Sequence, residues 1–191
     1  MILLFLLISF LLGSIPTAYL ISKIFYNIDI RKYGSHNPGA TNVWRVLGKL
    51  PGIITFIFDF SKGFFPVFIS IKLFSDAGSY IPVISGFLAI LGHIWTPFLS
   101  FRGGKGVATS LGVFFGLNPL AAIISLTVFV IVLFITKLVA LGSISAAITL
   151  PIVLFILKEQ LIIKYISIIL AVVIIIRHKS NITKIIKGTE N

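Results

Sequence analysis

The chain contains no cysteine and little acid, five Asp and Glu in 191 residues. Without cysteine there is no disulfide, no thiolate nucleophile and no cysteine metal site. Charge of either sign is scarce, 11% of residues against 58% hydrophobic, which is too apolar for a soluble domain of this length. Residues 1–22 carry no charged side chain. With no basic segment before that run and no A-x-A-like cleavage site after it, the run is expected to stay as a helix. No internal repeat, low-complexity tract or composition shift marks a second domain, so residues 1–191 are expected to form one membrane-embedded domain. No pair of histidines or acids has metal-ligand spacing, and neither metal nor cofactor is expected.

What the chain does have is oily runs, at 1–22, 50–71, 80–99, 106–136, 138–157 and 161–176. A bilayer core of ~30 Å takes about 20 residues of helix, so these runs predict an all-α polytopic membrane protein. The 16 Lys and Arg then reflect loops on the cytoplasmic side rather than nucleic-acid binding. They also suit anionic lipid or phosphorylated substrates. The loop 23–49, with Lys23, Arg31, Lys32, Arg45 and Lys49 against Asp29, is expected inside, and Met1 outside. Asp76 to Ser79 then fall in an outer loop. Counted as one span, 106–136 would leave the basic tail outside. Gly116-Leu117-Asn118-Pro119 is a helix-breaking turn that splits it. Seven helices result, some short, with a cytoplasmic C-terminus.

Three polar islands interrupt the oily runs: GSHNPGATNVWR at 34–45, FRGGKGVAT at 101–109 and RHKSNI at 177–182. In the second, Gly103, Gly104 and Gly106 surround Lys105 at the start of a short helix. Glycine backbone, a helix N-terminus and a full charge make a phosphate cradle. A tight turn with two interfacial cations fits the same residues. It is not a Walker A loop, because Leu99 and Gly106 stand where that motif needs Gly and a hydroxyl residue. The first island sets Ser35, Thr41 and Asn42 beside Arg45, which suits oxyanion binding but equally a capped loop with Thr41 or Asn42 starting a helix. In the third, His178 and Asn181 lie three apart, one helical face, as a hydroxyl-handling pair or as structural interface residues. Asp59 and Lys62, also three apart, predict an ion pair within a span. His93 is expected to hydrogen-bond at a helix end. The three islands are expected on one membrane face.

Taken together, these segments resemble the bacterial acyl-phosphate:glycerol-3-phosphate acyltransferases, a small integral-membrane family. The resemblance runs from Leu12-Gly13-Ser14-Ile15-Pro16 through Gly34 to Arg45, Asp59 to Gly63, Gly92-His93, Gly103 to Thr109 and Arg177-His178 with Asn181-Ile182. Gly188 and Glu190 fit its usual tail. His36, Pro38, Arg102 and Pro97 depart from its common pattern. The family implies seven helices, an outside N-terminus and a site open to the cytoplasm of a bacterial inner membrane. It implies transfer of an acyl chain from acyl phosphate to the 1-hydroxyl of glycerol 3-phosphate, without coenzyme A. On that resemblance Ser35, Lys105, His178 and Asn181 are the expected catalytic residues. Arg45, Thr41, Asn42, Gly103, Gly104 and Gly106 are expected to bind substrate, and Glu190 to be structural. No His-x4-Asp occurs, unlike the soluble-domain glycerolipid acyltransferases. A transporter for phosphate or a phosphorylated solute is the alternative that short helices and basic loops also allow.

Overall fold

Pro16, in the middle of the first oily run, lacks an N–H and pushes the residue before it out of helix. In the computed structural model, which describes residues 1–74 and 80–190, the run is accordingly two helices. These are α1 (Ile2–Ser14) and α2 (Thr17–Tyr26), bent by 46°. This corrects the single helix expected over 1–22. Ile15 is extended at the break, with ψ 116°. In lipid, backbone carbonyls released by a break must find partners within the protein. The Thr96 hydroxyl donates to the Ser14 carbonyl at 2.6 Å, and Lys62 Nζ donates to the Ile15 carbonyl at 2.9 Å.

The remaining helices are α3 (Ala40–Leu47), α4 (Lys49–Leu73), α5 (Tyr80–Ile94), α6 (Val107–Leu117), α7 (Pro119–Thr136), α8 (Val139–Ile156), α9 (Leu161–Arg177) and α10 (Lys179–Ile186). No strand occurs among the described residues. The outer loop expected around Asp76 to Ser79 lies outside them. Four helical stretches are long and apolar enough to cross a membrane, and there are six if each of the bent pairs α1–α2 and α9–α10 is one span. The 11-residue apolar helix α6 brings the apolar segments to seven. Its end at Leu117 and the start of α7 at Pro119 fall at the break expected between 116 and 119. Asn118 caps α7, its Oδ1 accepting from Ala121 N–H at 2.8 Å. At 1.5 Å per residue α6 is only about 16 Å long.

The chain divides into two compact units, Met1–Leu117 and Asn118–Asn191. In the first, α4 runs along α6 and α1 along α5, brought close by glycine. A Cβ on Gly63 would fall on the Thr109 carbonyl, and one on Gly112 on the Phe60 carbonyl. Backbones this near exchange dispersion contacts that a methyl group would push apart. Gly112→Ala is expected to lower stability by about 1–3 kcal/mol, measured as thermal unfolding in detergent. An unchanged midpoint would mean that the α4–α6 seam opens freely. In the second unit α8 packs against both α7 and α9. Asn118 Nδ2 donates to Glu159 Oε1 at 2.7 Å, tying the start of α7 to the turn between α8 and α9.

Candidate active site

The first island is a loop held together from beneath. Asp29 caps a 3-10 turn, Ile30–Lys32, accepting from Arg31 N–H at 3.0 Å. Its carboxylate also accepts from Arg31 Nε at 2.9 Å and Nη2 at 2.8 Å. These bonds hold the Asp29 carboxyl below its ordinary pKa. The same guanidinium lies 4.9 Å from the centre of the Tyr19 ring, so Arg31 is part of the scaffold. His36 takes a left-handed backbone (φ 58°), and its Nδ1–H donates to the Arg31 carbonyl at 3.0 Å. This closed turn is how the unusual His36 fits the loop.

Asn42 is the centre of the arrangement. It is 1% exposed. Its Nδ2 donates to the carbonyls of Ile30 (3.2 Å) and Tyr33 (3.0 Å), and its Oδ1 accepts from Ser35 N–H at 2.8 Å. Both amide hydrogens therefore go to backbone. Asn42 braces the loop and sets Ser35, rather than facing a ligand as its place in the motif suggests. The expected cap is also corrected: α3 starts at Ala40 with Gly39 as N-cap and no side-chain cap bond. With Asn42 and Val43 turned inward over Ala18 and Ile30, Thr41 and Arg45 are exposed on α3, four residues apart and hence on one face.

The second island doubles back on α5. Thr96 caps the turn Pro97–Leu99, accepting from Phe98 N–H at 3.3 Å. Ser100 (φ 51°) and Phe101 (φ 60°) are both left-handed, which reverses the chain. Gly103 N–H then donates to the Ile94 carbonyl at 3.0 Å and Gly104 N–H to the His93 carbonyl at 3.2 Å. Neither position admits a side chain. A Cβ on Gly103 would fall on the His93 carbonyl, and one on Gly104 on His93 Nε2. The first two glycines thus serve close approach to α5, with their N–H groups committed to carbonyls. This narrows the backbone cradle expected from the motif. The groups that favour an anion are Lys105 and the first-turn N–H groups of α6, which have no intrahelical acceptor.

The first two islands meet. Pro38 of one and Gly103 and Gly104 of the other line a narrow crevice, together with Asp59, Lys62 and Thr96. Thr96 had no motif to mark it; its only local signal is a hydroxyl residue before a proline.

The third island belongs to the second unit. His178 stands at the corner between α9 and α10, where the axis turns by 55°. His178 and Asn181 are therefore the N-cap and third residue of α10, not neighbours on one continuous helix. His178 is 2% exposed and Nδ1 lies 2.8 Å from the Ile174 carbonyl. A carbonyl only accepts, so Nδ1 carries the hydrogen, and in the neutral ring Nε2 holds the lone pair. Asn181 Nδ2 donates to Glu190 Oε1 at 2.6 Å. The tail reaches back because Gly188 is left-handed (φ 67°), closing α10 with Gly188 N–H on Ile185 and Thr189 N–H on Lys184.

Comparison with known proteins adds a lineage to this geometry. A family model described as glycerol-3-phosphate acyltransferase matches residues 3–188. The glycerol-3-phosphate acyltransferase of Fusobacterium nucleatum subsp. nucleatum is 45% identical over 190 residues, covering 98% of this chain and 95% of that protein. Glycerol-3-phosphate acyltransferase 2 of Bacillus anthracis is 47% identical over 186 residues, covering 97% and 96%. The crystal structure of PlsY (YgiH), an integral membrane glycerol 3-phosphate acyltransferase, in its glycerol 3-phosphate form is similar with a TM-score of 0.94. It is 38% identical and is matched over 100% of this chain and 94% of that one. Its lysophosphatidic acid form gives 0.91 at 37% identity.

Proposed function

The chain belongs to the glycerol-3-phosphate acyltransferase family, and from that premise we propose how its own residues carry out the transfer. It is an integral membrane enzyme that esterifies glycerol 3-phosphate to lysophosphatidic acid, an early step of phospholipid synthesis. One observation carries this. The PlsY structure that the chain resembles over its whole length exists in a glycerol 3-phosphate form and in a lysophosphatidic acid form, the acceptor and its acylated product. A transporter finds no support in these relatives.

The donor in our reading is acyl phosphate. The 1-hydroxyl oxygen of glycerol 3-phosphate attacks the acyl carbonyl carbon. The new ester C–O bond forms as the bond from that carbon to the phosphate oxygen breaks, and inorganic phosphate leaves with the bonding electron pair. The hydroxyl proton passes to His178 Nε2 or directly to the departing phosphate. A mixed anhydride has a good leaving group, so no covalent enzyme intermediate is needed. Lys105, the N-terminus of α6 and Ser35 steady the charge that grows on the donor. Arg45, with Thr41 on the same face of α3, grips the glycerol phosphate. His178 and Asn181 align the hydroxyl, and much of the rate comes from holding two reactants in place. The loops bearing Lys23 to Lys49, Arg102, Lys105, Lys137 and the tail face the cytoplasm of the inner membrane. The N-terminus is outside and the acyl chain lies in a groove between helices.

Purified protein given acyl phosphate and labelled glycerol 3-phosphate without coenzyme A should form labelled lysophosphatidate. Product formed only from acyl-coenzyme A would overturn the donor assignment. Uptake of the label into proteoliposomes without ester would overturn the enzyme itself. A smaller effect is expected at the tail. Glu190→Ala removes the carboxylate to which the Asn181 amide donates and should lower kcat about tenfold with little change in thermal unfolding. Full activity would remove Glu190 from the positioning of Asn181.

A further inference from the structure

Three ionisable side chains are buried without a part in the chemistry above. Asp59 and Lys62 on α4 pair at 2.7 Å, with side chains 3% and 8% exposed. His93, near the end of α5, brings Nδ1 to 3.7 Å from the same Asp59 oxygen. Withdrawing two charges from water is expensive, and a buried pair is a poor stabiliser compared with apolar packing. Charges kept inside a membrane helix call for a task.

Their neighbours indicate the task. The His93 carbonyl accepts Gly104 N–H at 3.2 Å, and the His93 ring fills the space where a Gly104 side chain would begin. From the other end of the cluster Lys62 holds the Ile15 carbonyl at the α1–α2 break. The ion pair, the break and the glycine loop are thus linked through one crevice. We infer that Asp59, Lys62 and His93 are positioning residues. The ion pair fixes the His93 ring, and ring and carbonyl together fix the Gly103–Gly106 loop and so the direction of Lys105. The catalytic consequence rests on the role proposed for Lys105; the ordering of the loop does not.

The absence of cysteine allows a clean test. A nitroxide is attached at Lys105→Cys, and in a separate protein at Thr127→Cys on α7 as a control. Activity is measured in unlabelled protein that keeps Lys105. The double variant Asp59→Asn, Lys62→Gln removes both charges and strands neither. It should unfold near the parent temperature, lose about 100-fold in kcat and keep its KM for glycerol 3-phosphate. The spin label at position 105 should become mobile and the one at 127 should not. A pair that merely stabilises the helix would move the unfolding temperature and leave kcat and the label at 105 unchanged, which overturns the inference. If the double variant does not fold, His93→Gln, which leaves the ion pair intact, decides by the same readouts. A fully active Lys105→Ala would refute the catalytic premise alone, because the label still reports whether the loop is held.

Discussion

Lys105→Ala is expected to lower kcat/KM about 1000-fold, close to the effect of removing one group that stabilises a transition-state oxyanion. That corresponds to about 4 kcal/mol at the barrier. The loop should survive the change, because its shape comes from Gly103 and Gly104 bonding to the end of α5 and not from the lysine side chain. Thermal unfolding should therefore match the parent while initial rates with acyl phosphate collapse. Lys105→Arg should recover little. Gly104 packs against the His93 ring and Gly106 takes a left-handed backbone (φ 86°), so the backbone has little freedom to seat a planar guanidinium where an ammonium belongs. Near-normal turnover by the alanine variant, with parent-like stability, would remove Lys105 from the mechanism.

Asn42→Ala should do the opposite, harming fold and rate together. It leaves the carbonyls of Ile30 and Tyr33 and the N–H of Ser35 without the partner they now have. Buried groups left unmatched cost about 1–3 kcal/mol each, so a loss of about 2–5 kcal/mol is expected after partial relaxation. Ser35 would shift with its backbone, and a displacement near 1 Å costs on the order of 100-fold in rate. Asn42→Asp separates the contributions. It keeps an acceptor for Ser35 N–H but sets a carboxylate against two carbonyls, so it should be at least as unstable as alanine. An alanine variant with parent-like unfolding and only a raised KM for glycerol 3-phosphate would show that Asn42 binds substrate after all.

Those two residues mark the boundary between what sequence and structure each provide. Residues 116–119 announced the break between α6 and α7 because the cause is local: a proline that cannot donate and an asparagine that caps. Pro16 carried the same kind of signal within a run whose hydrophobicity concealed it. Lys105 stands out as a cation flanked on both sides by glycine. Asn42 sits in the same kind of motif, but the motif does not say that its amide bonds the backbone of the loop. The glycines of the second island suit an anion, but the α5 carbonyls that take the Gly103 and Gly104 N–H groups lie outside the motif.

From composition and order alone came an all-helical membrane chain, the break at residues 116–119, its polar loops, the Asp59–Lys62 pair and a family likeness, since hydropathy and propensity act over a turn or two of helix. Tertiary structure alone decided which carbonyl each donor serves. Lys62 reaches a carbonyl 47 residues away and Thr96 one 82 residues away, and His93 stands behind the glycines. Such pairings follow from which helices pack side by side, and helix packing in lipid is set by the fit of whole surfaces that no short stretch of sequence encodes.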